Sequence, residues 1–111
     1  MRRIALHTRL KPGHEREYDH VHATIPAELA AAIRAAGVHG WWIWRDGLDL
    51  FHVVEVEDYR RMRAELREHP ANVAWQARMA TLLDVMDDYP GADTGLPLVW
   101  ELPAAADRAT S

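Results

Sequence analysis

Tyr18 and His22 stand four residues apart in a stretch whose apolar spacing is helical. On a helix that separation puts a phenol and an imidazole on one face, one turn apart. A strand-like run, His39-Gly-Trp-Trp-Ile-Trp44, follows soon after and supplies aromatic surface. An imidazole titrates near neutrality, which makes it the natural proton shuttle at neutral pH. Beside a hydroxyl and facing aromatic surface, it suits acid/base chemistry on a polar ring with an apolar side. A sugar is such a ring.

The residue inventory disfavours several other chemistries. The chain has no cysteine, hence no thiolate nucleophile, disulfide or Cys-ligated zinc. Serine occurs only at Ser111, so a Ser/His/Asp arrangement has no support. Neither an H-E-x-x-H motif nor a glycine-rich phosphate loop is present. His20 and His22 alternate, but on a helix their rings point roughly 200° apart, at about 100° per residue, and cannot chelate one ion. A metal role is therefore not expected. His14, His20 and His69 read as solvated surface. His22 lies in line with Tyr18 and Ile25 in the apolar stripe, where a histidine is either a satisfied core residue or a working one. The five tryptophans read as core and interface packing for at least two members. The others could line a saccharide site, because sugar C–H faces stack on aromatic planes.

The elements that must position these residues are legible from periodicity. Residues 3–10 alternate, with Ile4, Leu6, Thr8 and Leu10 on one face and Arg3, Ala5, His7 and Arg9 on the other, as in a half-buried strand. From about His14 to Ala36 the spacing is helical, with Gly37 placed to cap it. Pro26 lacks an N–H, so the carbonyl of His22 loses its usual donor and a bend is expected there. Residues 39–45 and 50–56 read as a hairpin around Asp46-Gly47-Leu48-Asp49. Both hairpin faces are rich in apolar side chains, so the second face is expected to be covered, most simply by another subunit. Glu57 to Glu68 reads as a helix ended by His69-Pro70, and Ala71 to about Met86 as another. An exposed loop from Asp87 to Pro97 and a last strand, Leu98 to Leu102, complete the pattern.

The order β-α-β-β-α-α-β is the split β-α-β plan: an α+β, ferredoxin-like sandwich with one antiparallel sheet and helices on one side. With 111 residues the chain reads as one domain, 1–103, followed by a tail, 104–111. A net charge of −4 argues against nucleic acid as a partner. No apolar run approaches the ~20 residues of a membrane span, and the N-terminus carries no secretory segment, so a cytoplasmic location is expected.

The chain resembles the L-rhamnose mutarotase family, which includes L-fucose mutarotase-like members. The resemblance runs from about Arg3 to Pro103. It is carried by Leu10-Lys-Pro-Gly-His14, Glu17-Tyr18-x-x-x-His22, Pro26-Ala-Glu-Leu29, Gly37-Val38-His39, Ile43-Trp44 and Trp100-Glu-Leu-Pro103. It implies an isomerase that interconverts the α and β anomers of a 6-deoxyhexose, working without a cofactor as a dimer of ferredoxin-like subunits (a dimeric α/β-barrel). The family's general acid/base histidine falls on His22 and its sugar-contacting tyrosine on Tyr18. A further substrate aromatic, commonly Tyr, falls on Trp41, and a Trp-Trp pair falls on Trp75 and Gln76. Trp41 and Gln76 depart from the pattern, as does Ile25-Pro26-Ala27-Glu28, where the family usually reads Ile-Trp-Pro-Glu. These departures touch the pocket wall.

On this reading His22 gives a proton to the ring oxygen during ring opening and recovers it on closure, while Tyr18 orients the sugar or relays the proton. Trp41 and Trp75 pack on its apolar edges. His7, His52 or water could supply the complementary base. Two alternatives fit the same architecture, because fold does not fix function. One is a cofactor-free monooxygenase or cyclase acting on an aromatic polyketide or quinone; the other is a non-catalytic small-ligand binder.

Overall fold

A computed structural model describes residues 2–85 and 95–103. Four strands, β1 (Arg2–Leu10), β2 (Val38–Asp46), β3 (Asp49–Val56) and β4 (Leu83–Val85), form one antiparallel sheet in the order β2-β3-β1-β4. Four helices, α1 (Glu15–Ala23), α2 (Ala27–Ala35), α3 (Tyr59–Glu68) and α4 (Pro70–Met79), pack on one of its faces. This is the ferredoxin-like arrangement expected from the element order.

Strand alternation sorts the sheet into two faces. Ile4, Leu6, Thr8 and Leu10 of β1 are buried with Leu50, His52, Val54 and Val56 of β3. Register places Trp41 opposite Val54 and Ile43 opposite His52, so both belong to this helix-covered face. Two clusters fill the core. One joins Ile4, Leu6, Val54 and Val56 to Tyr59, Met62 and Leu66 of α3. The other joins Leu10 and Leu50 to Tyr18 and Val21 of α1 and Met79 of α4. Fully buried residues such as Leu50, Met62 and Leu66 each contribute roughly 1.5–3 kcal/mol.

The long helix expected from His14 to Ala36 is two helices. Thr24 is extended (φ −143°, ψ 108°), and Pro26 takes the N-cap position of α2 (φ −56°, ψ 137°). A residue before proline is pushed out of the helical region, so the chain breaks rather than bends. As a result His22 sits in the last turn of α1, next to an irregular linker. Gly37 follows α2 at φ +93°, its N–H donating to the carbonyl of Arg34. A side chain is disfavoured at that backbone angle.

Two expectations for the C-terminal third are corrected. The helix placed over Ala71 to Met86 ends at Met79, and residues 83–85 are the fourth strand. Leu82 and Leu83 suit either a helix or a strand by pattern alone. The free edge of β1 at Arg9 and Leu10 decides, because it offers backbone partners to a strand. The strand expected at Leu98 to Leu102 does not form. Leu98, Val99, Trp100 and Leu102 are all exposed, Val99 at 96%. Just before them the N–H of Leu96 donates to the carbonyl of Ala5 (2.7 Å), so the chain passes the β1 edge there and then leaves the sheet. The loop expected from residue 87 lies mostly outside the described residues, as do Met86 and the tail 104–111. No helix among the described residues is long and apolar enough to cross a membrane.

Candidate active site

The helices do not seal the sheet completely. Between them and the inward faces of β1, β2 and β3 lies a cavity of about 460 Å³. That volume is in the range of small-molecule sites, roughly 300–1,000 Å³. Tyr18, His22, Trp41, Trp75 and Gln76 all line it, so the structure brings the expected catalytic histidine and the expected sugar-contacting residues to one place. Exposed Ala23 and Ile43 mark the cavity's mouth.

Tyr18 and His22 are stacked, with ring centroids 3.9 Å apart and planes 28° from parallel. The edge of Trp75 closes on His22 from α4, at 5.1 Å. His22 Nδ1 lies 3.1 Å from the backbone carbonyl oxygen of Tyr18. A carbonyl only accepts, so Nδ1 carries the proton and donates it, and Nε2 is the unprotonated nitrogen, with no hydrogen-bond partner among the described residues. Burial pushes the His22 pKa down; the Tyr18 carbonyl and then the Asp19 carboxylate oppose this without overcoming it. The imidazole is therefore neutral at pH 7, with a basic Nε2. Burial, and then the Asp19 charge, hold the Tyr18 phenol above its ordinary pKa, so its hydroxyl remains a donor. Arg45 of β2 grips Asp19 through two bonds, 3.0 and 2.7 Å, which fixes the α1 turn bearing Tyr18 and His22 against the sheet.

The two histidines considered as complementary base are both otherwise engaged. His7 lies on the opposite face of the sheet, bonded to Asp49 at 2.9 Å. His52 does face the cavity, but both its ring nitrogens are occupied. Nδ1 accepts from Trp41 Nε1 (3.2 Å), and Nε2 lies 3.0 Å from Thr8 Oγ1. Burial, with the charges of His22 and His7, lowers its pKa to about 4.

Thr8 and Asn72 line the cavity too, and no role was assigned to them from sequence. Asn72 is buried; it donates to the carbonyl of Leu66 (2.9 Å) and accepts from Gln76 (3.4 Å), a pair four residues apart on α4. That pair turns the Gln76 side chain along the wall. The one sequence signal for Thr8 is that it interrupts the apolar series Ile4, Leu6, Leu10.

Comparison with known proteins bears on what this cavity handles. The L-rhamnose mutarotase family model matches residues 3–102. The chain belongs to the L-rhamnose mutarotase family. Membership makes it an isomerase acting on carbohydrates. An L-rhamnose mutarotase of Burkholderia orbicola (strain MC0-3) is 40% identical over 87 residues, covering 75% of this chain and 81% of the relative. One from Verminephrobacter eiseniae (strain EF01-2) is 37% identical over 105 residues, covering 91% of each. In three dimensions the chain is similar to the crystal structure of L-rhamnose mutarotase FA22100 from Formosa agariphila. The TM-score is 0.74 at 22% identity, covering 93% of this chain and 100% of the other, which establishes the shared fold. These matches do not favour the monooxygenase or cyclase alternative. Within the mutarotase family framework, the cavity wall of this member includes Trp41, Trp75 and Gln76 together with Thr8, His52 and Asn72.

Proposed function

We propose that the protein interconverts the α and β anomers of L-rhamnose by acid/base-catalysed ring opening in this cavity. The observation that carries the reading is His22: a neutral imidazole, anchored through Nδ1–H, with Nε2 free in a cavity of hexose size. Opening a pyranose moves one proton from the anomeric hydroxyl to the ring oxygen. Nε2 takes the hydroxyl proton as the carbonyl forms at C1 and the C1–ring-oxygen bond breaks. The imidazolium then delivers that proton to the ring oxygen. Rotation about C1–C2 and the reverse steps close the ring on the other face. One imidazole thus serves as base and then acid, so no second base is needed. The Tyr18 hydroxyl orients the sugar as a donor, and the rings of Trp41 and Trp75 pack on its apolar edges, the 6-deoxy methyl included. Gln76 brings an amide to the same wall.

The experiment is saturation-difference NMR of the two L-rhamnose anomers, which reads exchange at equilibrium. Catalytic amounts of protein are expected to raise the exchange rate well above the buffer rate, with L-fucose as the comparison sugar. Buffer-level exchange for both sugars would sink the reading. Binding without exchange would favour a small-ligand binder.

We further propose a homodimer formed through the bare sheet face. Trp42, Trp44 and Phe51 are exposed there, Trp44 at 57%, and the apolar run Leu98 to Leu102 is equally uncovered. Contiguous apolar surface of this kind marks an interaction site. A Trp44→Asp variant is expected to sediment as a monomer at concentrations where the wild type is a dimer. A monomeric wild type would refute this part of the proposal.

A further inference from the structure

Three side chains whose polar groups the proposed mechanism leaves unused form a directed chain in the cavity wall. Trp41 on β2, His52 on β3 and Thr8 on β1 occupy inward positions on three adjacent strands and run diagonally across the sheet. Indole N–H can only donate, so at 3.2 Å it requires His52 Nδ1 to be a bare acceptor. The His52 proton therefore sits on Nε2 and points at Thr8 Oγ1, 3.0 Å away. The reverse assignment would set two N–H donors against each other. Thr8 Oγ1 is thereby an acceptor from His52, and its own hydroxyl proton must be donated elsewhere. Thr8 is 2% exposed and lines the cavity, and among the described residues its hydroxyl proton has no acceptor. A buried donor without a partner is costly, and an oxygen of a bound ligand would relieve that cost.

We infer that Thr8 is a specificity-determining residue whose hydroxyl donates to one of the ring hydroxyl oxygens of the bound sugar, with His52 and Trp41 as positioning residues that fix its direction. The inference rests on the mutarotase reading above and deepens it. His52 stays neutral through the physiological range, as the chain of donors requires. The arrangement also explains why the indole nitrogen of Trp41 is not itself available to sugar: its N–H is spent on His52, and its ring is what remains for packing.

The test measures L-rhamnose anomer exchange over a range of sugar concentrations for Thr8→Val, which keeps the shape and removes the hydroxyl, and for Thr8→Ser, which restores it. Thr8→Val is expected to raise KM about tenfold with kcat changed less than about threefold, as befits loss of one hydrogen bond made throughout the reaction. Thr8→Ser is expected to stay near wild type. Among L-rhamnose analogues lacking the hydroxyl at C2, C3 or C4, one is expected to bind the wild type about tenfold more weakly than L-rhamnose does, yet to bind Thr8→Val as well as L-rhamnose does. His52→Leu is expected to reproduce the Thr8→Val KM without adding to it in the double variant. His52→Gln, which can still accept from Trp41 and donate to Thr8, is expected to rescue it. Should Thr8→Val fail to fold, Thr8→Ala carries the same comparison. A Thr8 variant with wild-type KM and intact analogue discrimination would overturn the inference and leave the mutarotase reading standing. A wild-type protein inert toward L-rhamnose anomers would remove that reading and this inference with it.

Discussion

Replacing His22 with Ala is expected to lower catalysed anomer exchange by about 10²–10⁴-fold, the usual worth of a positioned general acid/base. The residual rate should approach that of buffer. The loss is expected in kcat more than in KM, because Tyr18, Trp41, Trp75 and Gln76 remain to hold the sugar. The fold should survive: His22 is only half-buried, and its side-chain bond to the Tyr18 carbonyl is local to α1. Free imidazole in the buffer should restore part of the rate by entering the vacated space. The pH profile provides a second readout. A group that begins the cycle as a neutral base loses activity as falling pH protonates it. Because burial lowers the His22 pKa, the acid limb of kcat/KM should inflect below the ordinary histidine value and remain flat through neutrality. A well-folded His22→Ala protein with unchanged exchange by NMR would end the mechanism, and an alkaline limb at the imidazole pKa would reverse the roles assigned to it.

The parts of this site that could be read from sequence are those governed by local periodicity. Tyr18 and His22 were legible because a four-residue spacing means one helical face whatever the tertiary context. Strand alternation leaves open which hairpin face turns inward, because both are rich in apolar side chains; the pairing with β1 puts Trp41 and His52 on the helix-covered side. Trp75 and Gln76 came from the family resemblance; helical spacing alone gives Trp75 only a core position. What could not be read depends on cross-strand geometry and on the order of proton donors. The link from His52 to Thr8 joins residues 44 apart in sequence, and its direction is set by an indole on a third strand. The C-terminal third misled for a different reason. Leu82-Leu83-Asp84-Val85 satisfies a helical and an extended pattern equally, and the open edge of β1 decides between them. The run Leu98 to Leu102, rich in strand-favouring residues, reads as a strand but finds no place in the sheet of its own chain. That result is what a segment reserved for an intersubunit contact would give, and the Trp44→Asp experiment bears on it.

Acid should destabilise the protein in a window set by His52. In the unfolded chain this histidine titrates at about 6.5, the reference value. In the folded protein it titrates at about 4, because the side chain is only 9% exposed and the charges of His22 and His7 lie nearby. The unfolded state therefore binds more protons than the native state between those two values, and stability rises with pH across the window. The contribution is complete above the unfolded pKa, declines as pH falls toward 4, and is gone below it. A gap of this size corresponds to about 3 kcal/mol. That is a large share of the ~5–15 kcal/mol that holds a typical domain together. The shift at His22 acts in the same direction. Asp19, Asp49 and Glu57, whose side-chain partners lower their pKa values, act in the same direction, but their effect falls in and below the ordinary carboxylate range, at the acid end of this window and beyond it. Urea unfolding followed by tryptophan fluorescence at fixed protein concentration should show the midpoint falling steeply from pH 7 to pH 4.5. In His52→Gln, which keeps both hydrogen bonds but cannot titrate, the fall should be much shallower. Equal pH slopes in the two proteins would mean that His52 is not the group whose protonation opposes folding, and that the chain from Trp41 through His52 to Thr8 tolerates a charge at its centre.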